Sequence, residues 1–197
     1  MPNVRTLTVT SILLFLGLTL LVSVPQTEAQ EGYSIELRGY TWNHTTITVS
    51  ILPRENESWW KPAYLNATLH GIAQWNDAIQ QFVSDYPEYG YLSSVRLVPT
   101  ISYENVSGFD IYIGWIAECE SEATIGQSRT TITSPCITIN NTVCLAAKAP
   151  SGHVMNEVDM QNIVVHELGH TFGLYHADYS GDAMYATVQY RETHRTK

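Results

Sequence analysis

Three things are scarce in this chain: cysteine, positive charge and long apolar runs. Cys119, Cys136 and Cys144 are the only cysteines among 197 residues. That is too few for a disulfide framework to replace a hydrophobic core, so the chain must build one, and its length suffices for one domain. In an oxidising compartment one pair would close and one thiol would be left, with three pairings open. Their distance from the histidines discussed below makes a structural role the expectation, not metal ligation. Ten Lys and Arg stand against nineteen Asp and Glu, a net charge of −9. This argues against a nucleic-acid partner. The acidic residues are scattered, so the charge serves solubility and marks no docking face. Beyond Val24 no apolar run is long enough to span a bilayer. No internal repeat and no low-complexity linker divides the chain.

The apolar run that does exist lies at the start. Arg5 precedes a nearly unbroken stretch from Ile12 to Leu21, extended by Val22 and Val24, and Ala29 offers a small residue before a cleavage at Gln30. This has the layout of a secretory signal over residues 1–29, leaving 30–197 as the mature domain. The alternative is an uncleaved anchor, which alone would bring the protein to a membrane. Losing the segment removes Arg5 and Glu28 and leaves the charge unchanged. Five N-glycosylation acceptors follow, at Asn43, Asn56, Asn66, Asn105 and Asn140. Ten asparagines would give about one or two by chance, so the excess agrees with export.

Chemistry concentrates in one string, His166-Glu167-Leu168-Gly169-His170-Thr171-Phe172-Gly173-Leu174-Tyr175-His176. His166 and His170 are four residues apart, which on a helix places both rings on one face. Glu167 sits beside them, free for acid–base work on a metal-bound water. A continuing helix would carry His176 away, but Gly173 can end the helix with positive φ and turn the chain back. Three imidazoles and one open corner suit a single catalytic Zn²⁺. Ile163, Val164, Leu168 and Phe172 form an apolar stripe at helical spacing, and Asn156 or Asp159 is the N-cap of a helix near 159–172. His44, His70, His153 and His194 show no ligand spacing and are expected on the surface or in local hydrogen bonds.

Upstream, Ile47, Val49 and Ile51 alternate within a strand from Thr45 to Leu52. A helix fits Lys61 to Phe82, with Pro62 in its first turn and Leu65, Leu69, Ile72, Ala73, Asn76 and Ile79 on one face. Strands are expected at Val95 to Val98, around Phe109, Ile111, Ile113 and Trp115, at Ala123 to Thr131, and at Cys136 to Ile139. The order is strand, helix, several strands, helix and an irregular end.

The extended histidine string resembles the signature of the metzincin zinc proteases. Met184, eight residues after His176 in Gly181-Asp182-Ala183-Met184-Tyr185, fits that family's Met-turn, and Ala183-Met184-Tyr185 is most similar to the matrixin branch. The resemblance covers most of residues 33–190. It implies an α+β zincin fold: a twisted, mostly parallel five-stranded sheet with one antiparallel edge strand, a long backing helix and an active-site helix. It further implies that Met184 and Tyr185 form the turn below the metal and part of a pocket, and that Gly126, Gln127 and Ser128 open an edge strand to which a substrate peptide could pair. The chain also departs from the pattern. Ala177 follows the third histidine where matrixins usually carry serine. No Pro-Arg-Cys-Gly switch precedes the domain, and no glycine- and aspartate-rich loop with extra histidines suggests a second, structural zinc. Calcium, a possible further cofactor, leaves no legible ligand pattern.

The resulting expectation is a secreted, monomeric zinc endopeptidase acting on polypeptide substrates. His166, His170 and His176 would hold the metal and Glu167 would act as general base. Two alternatives stay open: a secreted or surface glycoprotein whose zinc is structural or residual, and a zinc hydrolase of non-peptide substrates.

Overall fold

In a computed structural model of the chain, residues 34–104, 106–119 and 124–187 are described. The N-terminal apolar segment, Asn105, Ala123 and His194 lie outside them. Five strands form the central sheet: β2 (Thr46–Leu52), β3 (Arg96–Ile101), β4 (Ile111–Glu118), β5 (Gly126–Thr133) and β6 (Ile137–Lys148). Their spatial order is β3-β2-β4-β6-β5. All pairs are parallel except β5 with β6. The expected fold is therefore present, with its antiparallel strand at one edge.

Alternation builds one buried face. Ile47, Val49 and Ile51 of β2, Ile111, Ile113 and Trp115 of β4, and Val143, Leu145 and Ala147 of β6 are all buried. Against this face packs the long helix α1 (Pro62–Asp85). Its buried residues are Tyr64, Ala67, Thr68, Gly71 and Ile72. The face expected from apolar spacing is thus only partly right: Ile72 is buried, but Ala73 is exposed. Small residues decide the contact. A Cβ at Gly71 would come within 2.7 Å of Val164 Cγ1, so the second helix approaches closest where α1 has least side chain. Asn76 spends its amide on β3, donating to Leu97 O at 3.0 Å and accepting from Leu97 N at 2.8 Å.

The second helix, α2 (Glu157–Thr171), opens with a reciprocal capping box between Asn156 and Asp159. Three elements lacked a sequence expectation. A 3-10 segment, Pro87–Ser94, joins α1 to β3, and a small antiparallel pair unites β1 (Ile35–Leu37) with β7 (Leu174–Ala177). β6 also runs well past the expected Ile139, because Asn140 and Asn141 interrupt its apolar alternation while remaining in the ladder. The two sheet edges differ. Pro99 removes an N–H from β3, which blunts that edge. The β5 edge contains no proline.

The three cysteines are free thiols, contrary to the expectation that a pair closes. Cys136 precedes β6 and Cys144 lies eight residues further along it, about 26 Å apart at strand rise, so those two cannot meet. Asn43, Asn56 and Asn66 are exposed, whereas Asn140 is half-buried within β6. Among the described residues no helix is long and apolar enough to cross a membrane.

Candidate metal centre

Helix α2 is buried nearly all round, and its last two turns carry the functional side chains. His166, Glu167 and His170 are each less than a tenth exposed. At Phe172 the helix closes, and Gly173 takes φ +83°. A Cβ there would stand 2.7 Å from the carbonyl oxygen of Tyr40, so conformation and space both require glycine. The reversal delivers His176 on β7. The three ring centroids are 4.8, 5.1 and 5.3 Å apart, and one nitrogen from each ring lies within 4.8 Å of the others. Among the described residues this is the one His/Cys/Asp/Glu group arranged to hold a metal ion.

The donor set fits zinc for a specific reason. His166 Nδ1 is 2.9 Å from Ala183 O, and His170 Nδ1 is 2.8 Å from Leu174 O. A backbone carbonyl accepts only from an N–H, so each Nδ1 carries the proton and each Nε2 keeps its lone pair for a metal. Burial also keeps the rings neutral. It lowers the pKa of His170 to about 4, with neighbouring cationic groups adding to the effect and the bond to Leu174 opposing it. Burial likewise lowers His166 and, together with Arg38, His176. Glu167 moves the other way. Desolvation raises its carboxyl to about 7, although Arg38 pulls it down. Its Oε2 is buried with no hydrogen-bond partner among protein atoms, a group awaiting a donor.

Met184 lies beneath this centre, 2% exposed. Its carbonyl accepts from Ala177 N at 2.9 Å and its N–H donates to Asp182 Oδ1 at 2.6 Å. The turn thereby fixes Ala183, whose oxygen orients His166. Tyr185 borders a neighbouring hollow with Gln74, Asn162 and Val165, while Ala186 and Thr187 line the cleft itself. Tyr185 also forms an isolated parallel bridge with Ala177.

The edge strand closes the other wall. Gly126, Gln127 and Ser128 line an open cleft of about 620 Å³ with His166, Glu167, His170 and His176. At Gly126 the strand comes so near that a Cβ would lie 2.5 Å from Glu167 Oε1. Beneath it runs a polar chain. Ser128 Oγ donates to Asn141 Oδ1 and Asn141 Nδ2 to Thr130 Oγ1; Thr130 Oγ1 donates to Tyr40 Oη, which donates to His170 O.

The sequence offered no sign of three contributors from the N-terminal segment. Tyr40 Oη reaches His170 O at 2.7 Å, Trp42 Nε1 reaches Thr171 O at 3.0 Å and Arg38 N reaches Gly173 O at 2.8 Å. Trp42 and Arg38 satisfy carbonyls that the helix end leaves bare, and Tyr40 adds a second donor to His170 O beside Gly173 N. Neither heptad nor alternation marks such a segment.

A three-histidine centre beside a buried carboxylate, under an open antiparallel sheet edge, is the layout of a metallohydrolase. The chain belongs to the matrixin family, zinc-dependent metalloendopeptidases, whose pattern matches residues 55–197. No curated protein matches it.

Proposed function

We propose that this chain is a secreted zinc endopeptidase in which Glu167 serves as general base and then as proton donor to the leaving amine. The observation that carries the reading is the conjunction of two fixed imidazole tautomers with a buried, partner-free carboxylate oxygen beside them. When bound by His166, His170 and His176, zinc would supply Lewis acidity that polarises a carbonyl and lowers the pKa of water to about 7. Glu167, its own carboxyl near 7, is matched to take a proton at one stage and return it at the next. The backbone of β5 offers its free edge to an extended peptide, and Gly126 lets that edge sit directly over the carboxylate. Export rests on the N-terminal layout and the excess of glycosylation acceptors.

The test uses the zinc-loaded mature chain and a denatured protein substrate, with and without chelator. Glu167→Gln should keep its zinc and its melting profile and lose about 10²–10⁴-fold in kcat. Cleavage at the wild-type rate by this variant would remove Glu167 from the mechanism. A zinc-replete wild type that cleaves no unfolded protein would leave the domain a binding module. N-terminal sequencing of the exported protein should begin near Gln30.

A further inference from the structure

The metal cleft has a basic residue on its wall. Among the described residues that line it, Arg38 alone is a Lys or Arg, in a chain whose net charge is −9. Its backbone is tied down by the bond from Arg38 N to Gly173 O at 2.8 Å. Its side chain is exposed, with Cζ 4.7 Å from the centroid of the Tyr175 ring. Tyr175 immediately precedes the third histidine. The ring face restrains the guanidinium by cation–π attraction, so less freedom is lost when it grips a ligand. No carboxylate among the described residues lies within ion-pair distance of it. It lines the cleft together with His166, Glu167, His170 and His176, which places it beside the metal centre. A solvated arginine merely covering an aromatic ring would look similar, but it would not need to stand in the cleft with its donors unspent.

We propose that Arg38, held over Tyr175, forms a carboxylate-binding subsite that selects polypeptide segments carrying an acidic group close to the bond cleaved. A guanidinium presents two parallel N–H donors to a carboxylate, a fit that a neutral amide side chain cannot reproduce. The subsite counters the repulsion that an acidic protein exerts on acidic peptides, and it makes selection depend on one residue. This assignment rests on the peptidase reading above for the cleavage it serves, but binding can be measured without cleavage.

The experiment uses the zinc-loaded Glu167→Gln protein for equilibrium binding and the otherwise wild-type protein for kinetics. The probes are end-blocked peptides differing only by Glu against Gln, and a matched pair with free or amidated C-terminus. The Glu peptide should bind about fivefold more tightly than its Gln counterpart. Arg38→Ala should abolish the difference, Arg38→Lys retain part of it and Arg38→Glu reverse it towards a Lys peptide. In kinetics Arg38→Ala should raise the KM of the Glu peptide, with any change in kcat shared by both peptides. A preference confined to the free C-terminus supports the subsite and assigns it to chain ends. A preference that survives Arg38→Ala overturns the proposal, as does an equal rise in KM for both peptides. If binding follows Arg38 while no peptide is ever cut, the subsite stands and the peptidase reading fails. Cleavage without carboxylate preference sinks the subsite alone.

Discussion

Three glycines shape the centre by what they leave out, and each gives a different expected loss. At Gly169 a Cβ would press into Met184 Sδ and stand 3.2 Å from Trp75 Cζ2. Alanine is the better helix former by about 1 kcal/mol, but overpacking a core costs about 1–3 kcal/mol. Gly169→Ala should therefore be destabilising in urea melts, with the Met-turn displaced. At Gly126 the obstruction is the Glu167 carboxylate itself. Gly126→Ala should keep zinc and fold while cleavage falls by up to about 10²-fold, because a shift near 1 Å is enough to spoil alignment. At Gly173 the strain is in the backbone. The left-handed conformation costs an alanine about 1–2 kcal/mol, and the Tyr40 carbonyl bars the way. Gly173→Ala should weaken zinc binding, since His176 depends on that turn. Metal titration beside a melting curve separates the three outcomes.

At the level of elements, the metal helix is secured at both ends by chemistry of different legibility. Its start was readable, since Asn156 and Asp159 stood before the apolar stripe and both proved to share one capping box. Asn156→Ala should cost about 1 kcal/mol and leave kcat unchanged, measured by denaturant midpoint. Its end was not readable. Tyr40 and Trp42 reach it from about 130 residues away in sequence, across a pairing of β1 with β7 that has no periodicity to betray it. Tyr40→Phe takes one donor from His170 O, which keeps Gly173 N at 3.1 Å, and the acceptor from Thr130 Oγ1, a loss of about 1 kcal/mol. Faster hydrogen exchange in the last turn of α2 and weaker zinc binding should accompany it. The same contrast runs through the fold. β2 and β4 were legible because large branched residues alternate in them, and the histidine string because ligand spacing is a local property. The true contact face of α1 was hidden because Ala67, Thr68 and Gly71 make it by being small.

For the whole molecule, the centre sets four ionisable groups against folding in opposite directions, and their balance predicts how stability depends on pH once metal is stripped. Each histidine has its folded pKa below the ordinary 6.5, that of His170 at about 4. As pH falls through 6.5 the unfolded chain takes up protons that the folded one refuses, so stability is lost on acidification. Glu167 is raised to about 7 from 4.5. Between those values the folded chain holds a proton that the unfolded one releases, so this contribution is lost as pH rises. Three histidines oppose one carboxylate, and the net outcome from pH 6.5 down to 4.5 is a loss of stability. Just above pH 6.5 the two effects oppose one another, because the unfolded histidines are still partly protonated while folded Glu167 gives up its proton near 7. Zinc steepens the acid limb, because protons and metal compete for the same lone pairs while bound metal adds to the folded state. Urea midpoints of the chelated protein from pH 4.5 to 7.5 read this directly. Replacing Glu167 by Gln removes the one opposing group and should steepen the acid loss further. A midpoint that stays level or climbs from pH 6.5 to 5 in the chelated wild type would mean that the rings are not buried together.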